Sequence, residues 1–457
     1  MWKAYNKSLK LTGNFMQHKK EDREQRCIVT FARSWGALSA TRCLGKYGID
    51  VITGDSSAVA ASNFSFYSND FFTYPQPEDN PEGYLDAIEQ TCLNYKAPNR
   101  DLVLMPLHTD SYLIAKHRER FEGLVKMVLP NSTEIDLVNN KASLARHCLK
   151  NGINTPPTLT ADSVEEFKDK LSQFEYPGFL KPPESLGSVG VIKVNSPKEA
   201  NAQFDELLKK YKLDDKHLPI IQKAVGGDDF CATFLFDHGE LKASMTYHNI
   251  VDYPKDKGMG AIRETVDAAE MEEMGSSLLR DLKWHGVAEI DFRWDGSSTP
   301  WLIEINPRFW GGLGQSIASG IDYPYLLYKL AIDGHVDSVE KTNCDAKTFN
   351  PCLTLLLELE EFINAKNTGE ELRNAFKEFK SEIKHGHLSV ITKLLGNVAH
   401  AINPSKRIHA VKEIINKDKS AVNELLDWRD PLPLLGLLYP LAIFVKHGKI
   451  TPELLVK

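Results

Sequence analysis

Residues 286–312 read GVAEIDFRWDGSSTPWLIEINPRFWGG. Two apolar runs flank Asp-Gly-Ser-Ser, a cluster of turn-forming residues, which predicts an antiparallel hairpin. Strand side chains alternate between faces, so Glu304, Asn306 and, if the strand extends that far, Arg308 share one side. The hairpin would bring Asp291 beside Glu304. The flanking apolar residues imply burial, and buried polar groups without partners are costly. Two adjacent carboxylates repel each other and raise their own pKa values. A hard divalent cation resolves this, because Mg²⁺ takes oxygen ligands and commonly bridges carboxylates to phosphates. Asp291, Glu304 and Asn306 are therefore the candidate metal ligands. The alternative is a solvated hairpin with ordinary surface acids.

The bulk numbers narrow the class without choosing a function. A chain of 457 residues with 42% hydrophobic and 26% charged residues suits a soluble protein of two to four structural units. A formal net charge of −7 argues against nucleic-acid binding, which calls for a basic patch. The seven cysteines stand singly with no CxxC. That pattern fits a reducing cytoplasm better than a disulfide framework or a zinc site. Residues 1–24 lack the apolar core of a secretory signal and read as a flexible polar segment.

Along the chain, RCIVTFARSWGALSATRCLGKYGIDVITGD reads as strand, helix and strand, with Gly48 closing the helix. Its turn is FARSWG, which lacks the first two glycines of a dinucleotide fingerprint, so NAD or FAD binding is not expected. From about residue 130 the reading changes to α+β with antiparallel pairs. TEIDLVNNKASLARHCLKNG reads as one helix, FLKPPESLGSVGV as strand, small-residue loop and strand, and IIQKAVGGDDF as a strand leaving into a connector. The loop can offer backbone N–H groups to phosphate oxygens, with Lys181 adding a point charge. The connector can read an adenine edge while an acid takes ribose hydroxyls. Residues 336–457 read as mainly helical. Within them PLPLLGLLYPLAIFVK is apolar but too short and proline-interrupted to span a bilayer. It reads as a buried helix or a homodimer contact, with a membrane-surface contact as the lesser alternative.

Taken in this order, the segments resemble the ATP-grasp superfamily over roughly residues 25–335. The resemblance implies a pre-ATP-grasp βαβ domain (25–129) and an ATP-grasp domain of two α+β subdomains (130–221 and 222–335). It implies ATP held between the subdomains with Mg²⁺ or Mn²⁺. ATP would turn a substrate carboxylate into an acyl phosphate for attack by an amine. Residue by residue, Lys141 and Lys181 match the phosphate-binding lysines, and Ser188 falls in the loop covering the phosphates. Gln222, Lys223 and Val225 match the adenine connector, with Gln222 where glutamate is more usual. Asp229 matches the ribose-binding acid, and Asp291, Glu304 and Asn306 match the metal ligands. Arg308 resembles the arginine on the transferred phosphate. Arg263 is the candidate for a substrate carboxylate, ahead of His248 and Arg33.

EINPRFWGG is similar to the carbamoyl-phosphate-synthetase-like branch, but a tandem second half and an amidotransferase domain are absent. A stand-alone carboxylate–amine ligase acting on small molecules in the cytoplasm is the expectation. A carboxyphosphate-forming enzyme, a non-catalytic ATP-binding module and a membrane-associated ligase are the alternatives.

Overall fold

The computed structural model describes residues 25–437, except 99, 185–188, 216, 254–258, 340–341, 355 and 358–420. The first unit is a four-stranded parallel sheet in the order β3-β2-β1-β4. Its strands are β1 (Gln25–Val29), β2 (Asp50–Asp55), β3 (Ser68–Thr73) and β4 (Asp101–Met105). Helix α1 (Trp35–Lys46) makes the predicted crossover from β1 to β2, and α2 (Pro81–Tyr95) links β3 to β4. Ser34 starts α1 by accepting the Ala37 N–H, and Gly48 ends it at φ +82°. Helix α3 (Asp110–Lys116) follows β4.

The single helix expected from the TEIDLVNNKASLARHC run is two: α4 (Ser132–Asn139) and α5 (Lys141–Lys150). Asn140 takes extended backbone angles and caps the Ser143 N–H at 3.0 Å. A side chain that bonds its own downstream backbone competes with helix continuation. The break places Lys141 on the first turn of α5.

The first α+β subdomain is a four-stranded antiparallel sheet in the order β5-β8-β6-β7. It comprises β5 (Thr158–Leu159), β6 (Gly178–Lys181), β7 (Ile192–Val194) and β8 (Ile220–Lys223). Helices α6 (Val164–Leu171) and α7 (Pro197–Tyr211) cover it, with Phe167 and Phe204 stacked at 4.3 Å in their shared core.

The second subdomain carries a seven-stranded sheet in the order β13-β12-β9-β10-β11-β14-β15. Strands β9 (Asp228–Asp237) and β10 (Glu240–Tyr253) form the hairpin expected around DHGE. Next comes β11 (Met259–Val266), then helix α8 (Ala269–Asp281) and the hairpin of β12 (Gly286–Trp294) and β13 (Trp301–Asn306). Helices α9 (Leu313–Ala318) and α10 (Tyr323–Asp333) pass behind the sheet. Trp284, Phe234, Phe236 and Phe292 are fully buried in its core, each contributing on the order of 1.5–3 kcal/mol by burial.

The sheet then gains β14 (Lys347–Phe349) and β15 (Val422–Asn423), both from the region expected to be mainly helical. Of that region's predicted helices, those between 358 and 420 lie outside the described residues. The first half of PLPLLGLLYPLAIFVK is a short 3₁₀ helix, Leu432–Leu437, packed on the 3₁₀ turn Ala61–Phe64 of the first unit. Among the described residues, no helix is long and apolar enough to cross a membrane.

Candidate active site

The β12–β13 register pairs Asp291 with Glu304 and Glu289 with Asn306. All four side chains emerge on one face because each pair of neighbours on a strand is two residues apart. Asn306 Nδ2 donates to Glu289 Oε2 at 3.2 Å and to Asp291 Oδ2 at 3.3 Å. Arg308 curls back over the strand end, donating to Asn306 Oδ1 at 3.0 Å and to the Phe309 carbonyl at 2.7 Å. Glu289 is buried and accepts from the Tyr247 hydroxyl at 2.5 Å. Cys231 Sγ lies 3.2 Å from Asp291 Oδ1.

Two lysines close the cluster from the other side. Lys141, placed by the Asn140 break, stands 3.3 Å from Glu304 Oε2. Lys181 ends β6 and donates to Gln222 Oε1 at 2.7 Å. Burial, then the charges of Glu289 and Glu304, push Asp291 well above the usual carboxylate range, and burial raises Glu289. Burial also works against the charge on Glu304, but Lys141 and Lys181 overcome it and hold Glu304 low. Hard oxygen donors that resist ionising together fit a divalent cation, which would supply the missing charge. The donor set Asp291, Glu304 and Asn306, with Glu289 behind, therefore suits Mg²⁺.

These groups open onto a cavity of about 470 Å³ between the two subdomains and the first unit. Lys181, Gln222, Lys223, Val225, Asp229, Arg263, Asp291, Glu304, Asn306 and Arg308 all line it. Lys141 joins it through Glu304. Gln222 is also fixed by Nε2 to the Thr158 hydroxyl at 3.2 Å, and Asp229 pairs with Arg293 at 3.1 Å. Ser188 lies outside the described residues.

Arg263 is 2% exposed on β11, and its Nη1 lies 2.7 Å from Glu424 Oε1, just beyond β15. Its Nε has no hydrogen-bond partner. Arg33 lines the cavity with its guanidinium held by Asp55 at 2.9 Å and Gln76 at 3.1 Å. His248 does not line it; the ring stacks on Phe230 at 4.6 Å beside Glu264.

Among the cavity residues not singled out from the sequence are Glu289, Tyr247 and His108. Glu289 was signalled by alternation, sitting two positions before Asp291. Tyr247 and His108 carried no local signal. His108 stacks on Phe31 at 4.1 Å, and burial, then the nearby Arg308 and Arg33, keep its imidazole neutral.

Two α+β subdomains clasping a cavity lined with carboxylates and lysines define the ATP-grasp class of fold. Comparison with known proteins agrees. Residues 243–349 match the family model described as ATP-grasp in the biosynthetic pathway with Ter operon. The chain is 25% identical over 253 residues to D-alanine–D-alanine ligase of Bordetella petrii, spanning 48% of this chain and 70% of that protein. It superposes on the L-amino acid ligase of Bacillus licheniformis with a TM-score of 0.52 at 17% identity, covering 68% and 74% of the two chains. Biotin carboxylase of Campylobacter jejuni gives a TM-score of 0.57 at 17% identity, covering 70% and 74%. In sequence and fold the chain is similar to the ADP-forming carboxylate–amine ligases of the ATP-grasp superfamily.

Proposed function

We propose that the chain uses Mg·ATP to activate a small-molecule carboxylate and joins it to an amine. The observation that carries this is the β12–β13 register, which sets Asp291 against Glu304 and Glu289 against Asn306 beneath two lysines. Asp291, Glu304 and Asn306 would hold Mg²⁺, which would supply positive charge against the ATP phosphates. Gln222, Lys223 and Val225 would hold the adenine, Asp229 the ribose, and Lys141 and Lys181 the phosphates. Arg308, tethered at the strand end, would face the γ-phosphoryl group. A substrate carboxylate oxygen attacks the γ-phosphorus, the β–γ bond breaks and ADP leaves. The amine nitrogen then attacks the acyl carbon, inorganic phosphate departs, and the amine loses a proton. Positioning and electrostatics supply most of the catalysis in such a step. The reading is tested by Mg·ATP-dependent ADP release over a panel of amino acids and small peptides, with products read by mass spectrometry. Absence of ADP release with every acid and amine pair would reject it.

Two further results are expected at this site. Burial, chiefly, pushes the Lys181 ammonium down to about 8. Below that pH the lysine is charged in the empty site. Above it, ATP binding must draw a proton from solvent. The ATP dissociation constant should therefore rise by up to about tenfold per pH unit above pH 8. Lys181→Arg should flatten the dependence, because a guanidinium stays charged. A wild-type affinity that stays level to pH 10 would remove Lys181 from phosphate binding.

Arg263 Nε is the donor proposed for the substrate carboxylate. Arg263→Lys keeps a charge for Glu424 and deletes Nε. It should raise KM for the acid by about tenfold or more, the weight of one hydrogen bond to a charged group. An unchanged KM would dismiss the role.

A further inference from the structure

The segment 421–437 crosses from one unit to another. Strand β15 extends the seven-stranded sheet beside β14. Glu424 then holds Arg263, with the Thr348 hydroxyl also 2.6 Å from the same Oε1. Six residues later Asp430, fully buried, is gripped by the first unit. Its Oδ2 accepts from Arg42 Nε at 2.8 Å and from the Ser65 hydroxyl at 2.7 Å, and its Oδ1 accepts the Phe66 N–H at 2.7 Å. Arg42 also donates to the carbonyls of Leu425 and Asp430, each at 2.9 Å. The 3₁₀ turn beyond lies so close to the first unit that a Cβ on Gly436 would meet Ala61 Cα at 2.5 Å. Only glycine permits that approach.

The strap so anchored lines the cavity. Leu425, Pro433 and Leu434 of the strap line it together with Phe31, Trp35 and Leu38 of the first unit. Of the cavity's cationic side chains, Arg33 is matched by Asp55 and Arg263, through Nη1, by Glu424. The strap residues and Phe31, Trp35 and Leu38 give the cavity hydrocarbon and aromatic surface, which stabilises a ligand in proportion to the apolar area it buries.

We propose that the strap forms the specificity wall of this ligase and selects an amino acid with a bulky apolar side chain. The proposal rests on the ligase reading above and extends it to the substrate class. Leu434 is half-buried and faces the cavity, so its substitution tests the wall without emptying a core.

Two measurements on the full chain separate the two ideas. The first is ADP release with phenylalanine, leucine and methionine against serine, aspartate and lysine. The second is calorimetric titration of the same amino acids in Mg²⁺ and a non-hydrolysable ATP analogue. Expected is a preference of more than tenfold in kcat/KM for the apolar set. Leu434→Glu should weaken binding and KM of that set by about tenfold or more, while the analogue's own affinity holds. Apolar binding without turnover would support the wall while rejecting the ligase. Equal turnover of the polar set would overturn the wall and keep the ligase. An apolar preference unchanged in Leu434→Glu, or no apolar binding at all, would also overturn it.

Discussion

Glu304→Gln should lower Mg·ATP-dependent ADP release by at least about 10²–10³-fold, the usual cost of removing one electrostatic contact to a developing charge. The fold should survive. Glu304 is pulled two ways: Lys141 at 3.3 Å and Lys181 favour its charge, while burial opposes it. Neutralising it sacrifices the first and relieves the second. A net stability change of about 1 kcal/mol, moving Tm by about 2–4 °C, is the expected remainder. Asp291, released from one neighbouring charge, should ionise at lower pH than in the wild type. The informative outcome is therefore the combination: activity lost, thermal melt nearly unmoved. Full turnover in Glu304→Gln would remove the metal assignment. A melt lowered by tens of degrees would instead make Glu304 a structural partner of Lys141.

The β12–β13 hairpin was legible because two strong local signals agree: alternation on both arms, and a four-residue turn between them. Together they set the register, and the register alone places Asp291 against Glu304. Glu289 was missed although it obeys the same alternation, because it stands inside an apolar run and its partner, Tyr247, lies 42 residues upstream. The split of α4 from α5 was missed because both halves share a helical pattern. A single capping side chain, Asn140, decides it. Strand β11, MGAIRETV, was hidden by Gly260, and the fold requires glycine both there and at Gly312. A Cβ on Gly260 would strike Asn249 Oδ1 at 2.2 Å, and one on Gly312 would strike the Tyr247 hydroxyl at 2.6 Å. Gly312 thus makes room for the Tyr247–Arg263 layer. What no local pattern carries is long-range pairing. Arg263 meets Glu424 across 161 positions and Arg42 meets Asp430 across 388. The strap that these pairs fasten could be read from sequence only as an apolar tail.

Asp430→Ala should undo that fastening. The carboxylate satisfies three donors at once, and its loss strands the Arg42 guanidinium, 7% exposed, with two carbonyls as its remaining partners. Removing one member of a buried ion pair costs about 3–5 kcal/mol, because the other charge stays desolvated. A whole domain need not absorb this. The strap can lift instead, which returns Arg42 to water and exposes Leu425 and Leu434, so the observed cost is capped at whatever holds the strap down. The expected signature is local: amides of 422–430 and of 62–66 should exchange about 10²–10³-fold faster, the equivalent of 3–5 kcal/mol at a factor of ten per 1.4 kcal/mol. The thermal melt of the rest of the chain should move little. Asp430→Asn keeps the shape and some of the hydrogen bonds and should fall between wild type and alanine. If the strap is also the substrate wall, KM for the apolar amino acid should rise in the same order across the three proteins while ATP affinity stays constant. Wild-type exchange in Asp430→Ala would show that the contacts of β15 with β14 and of Glu424 with Arg263 hold the strap alone.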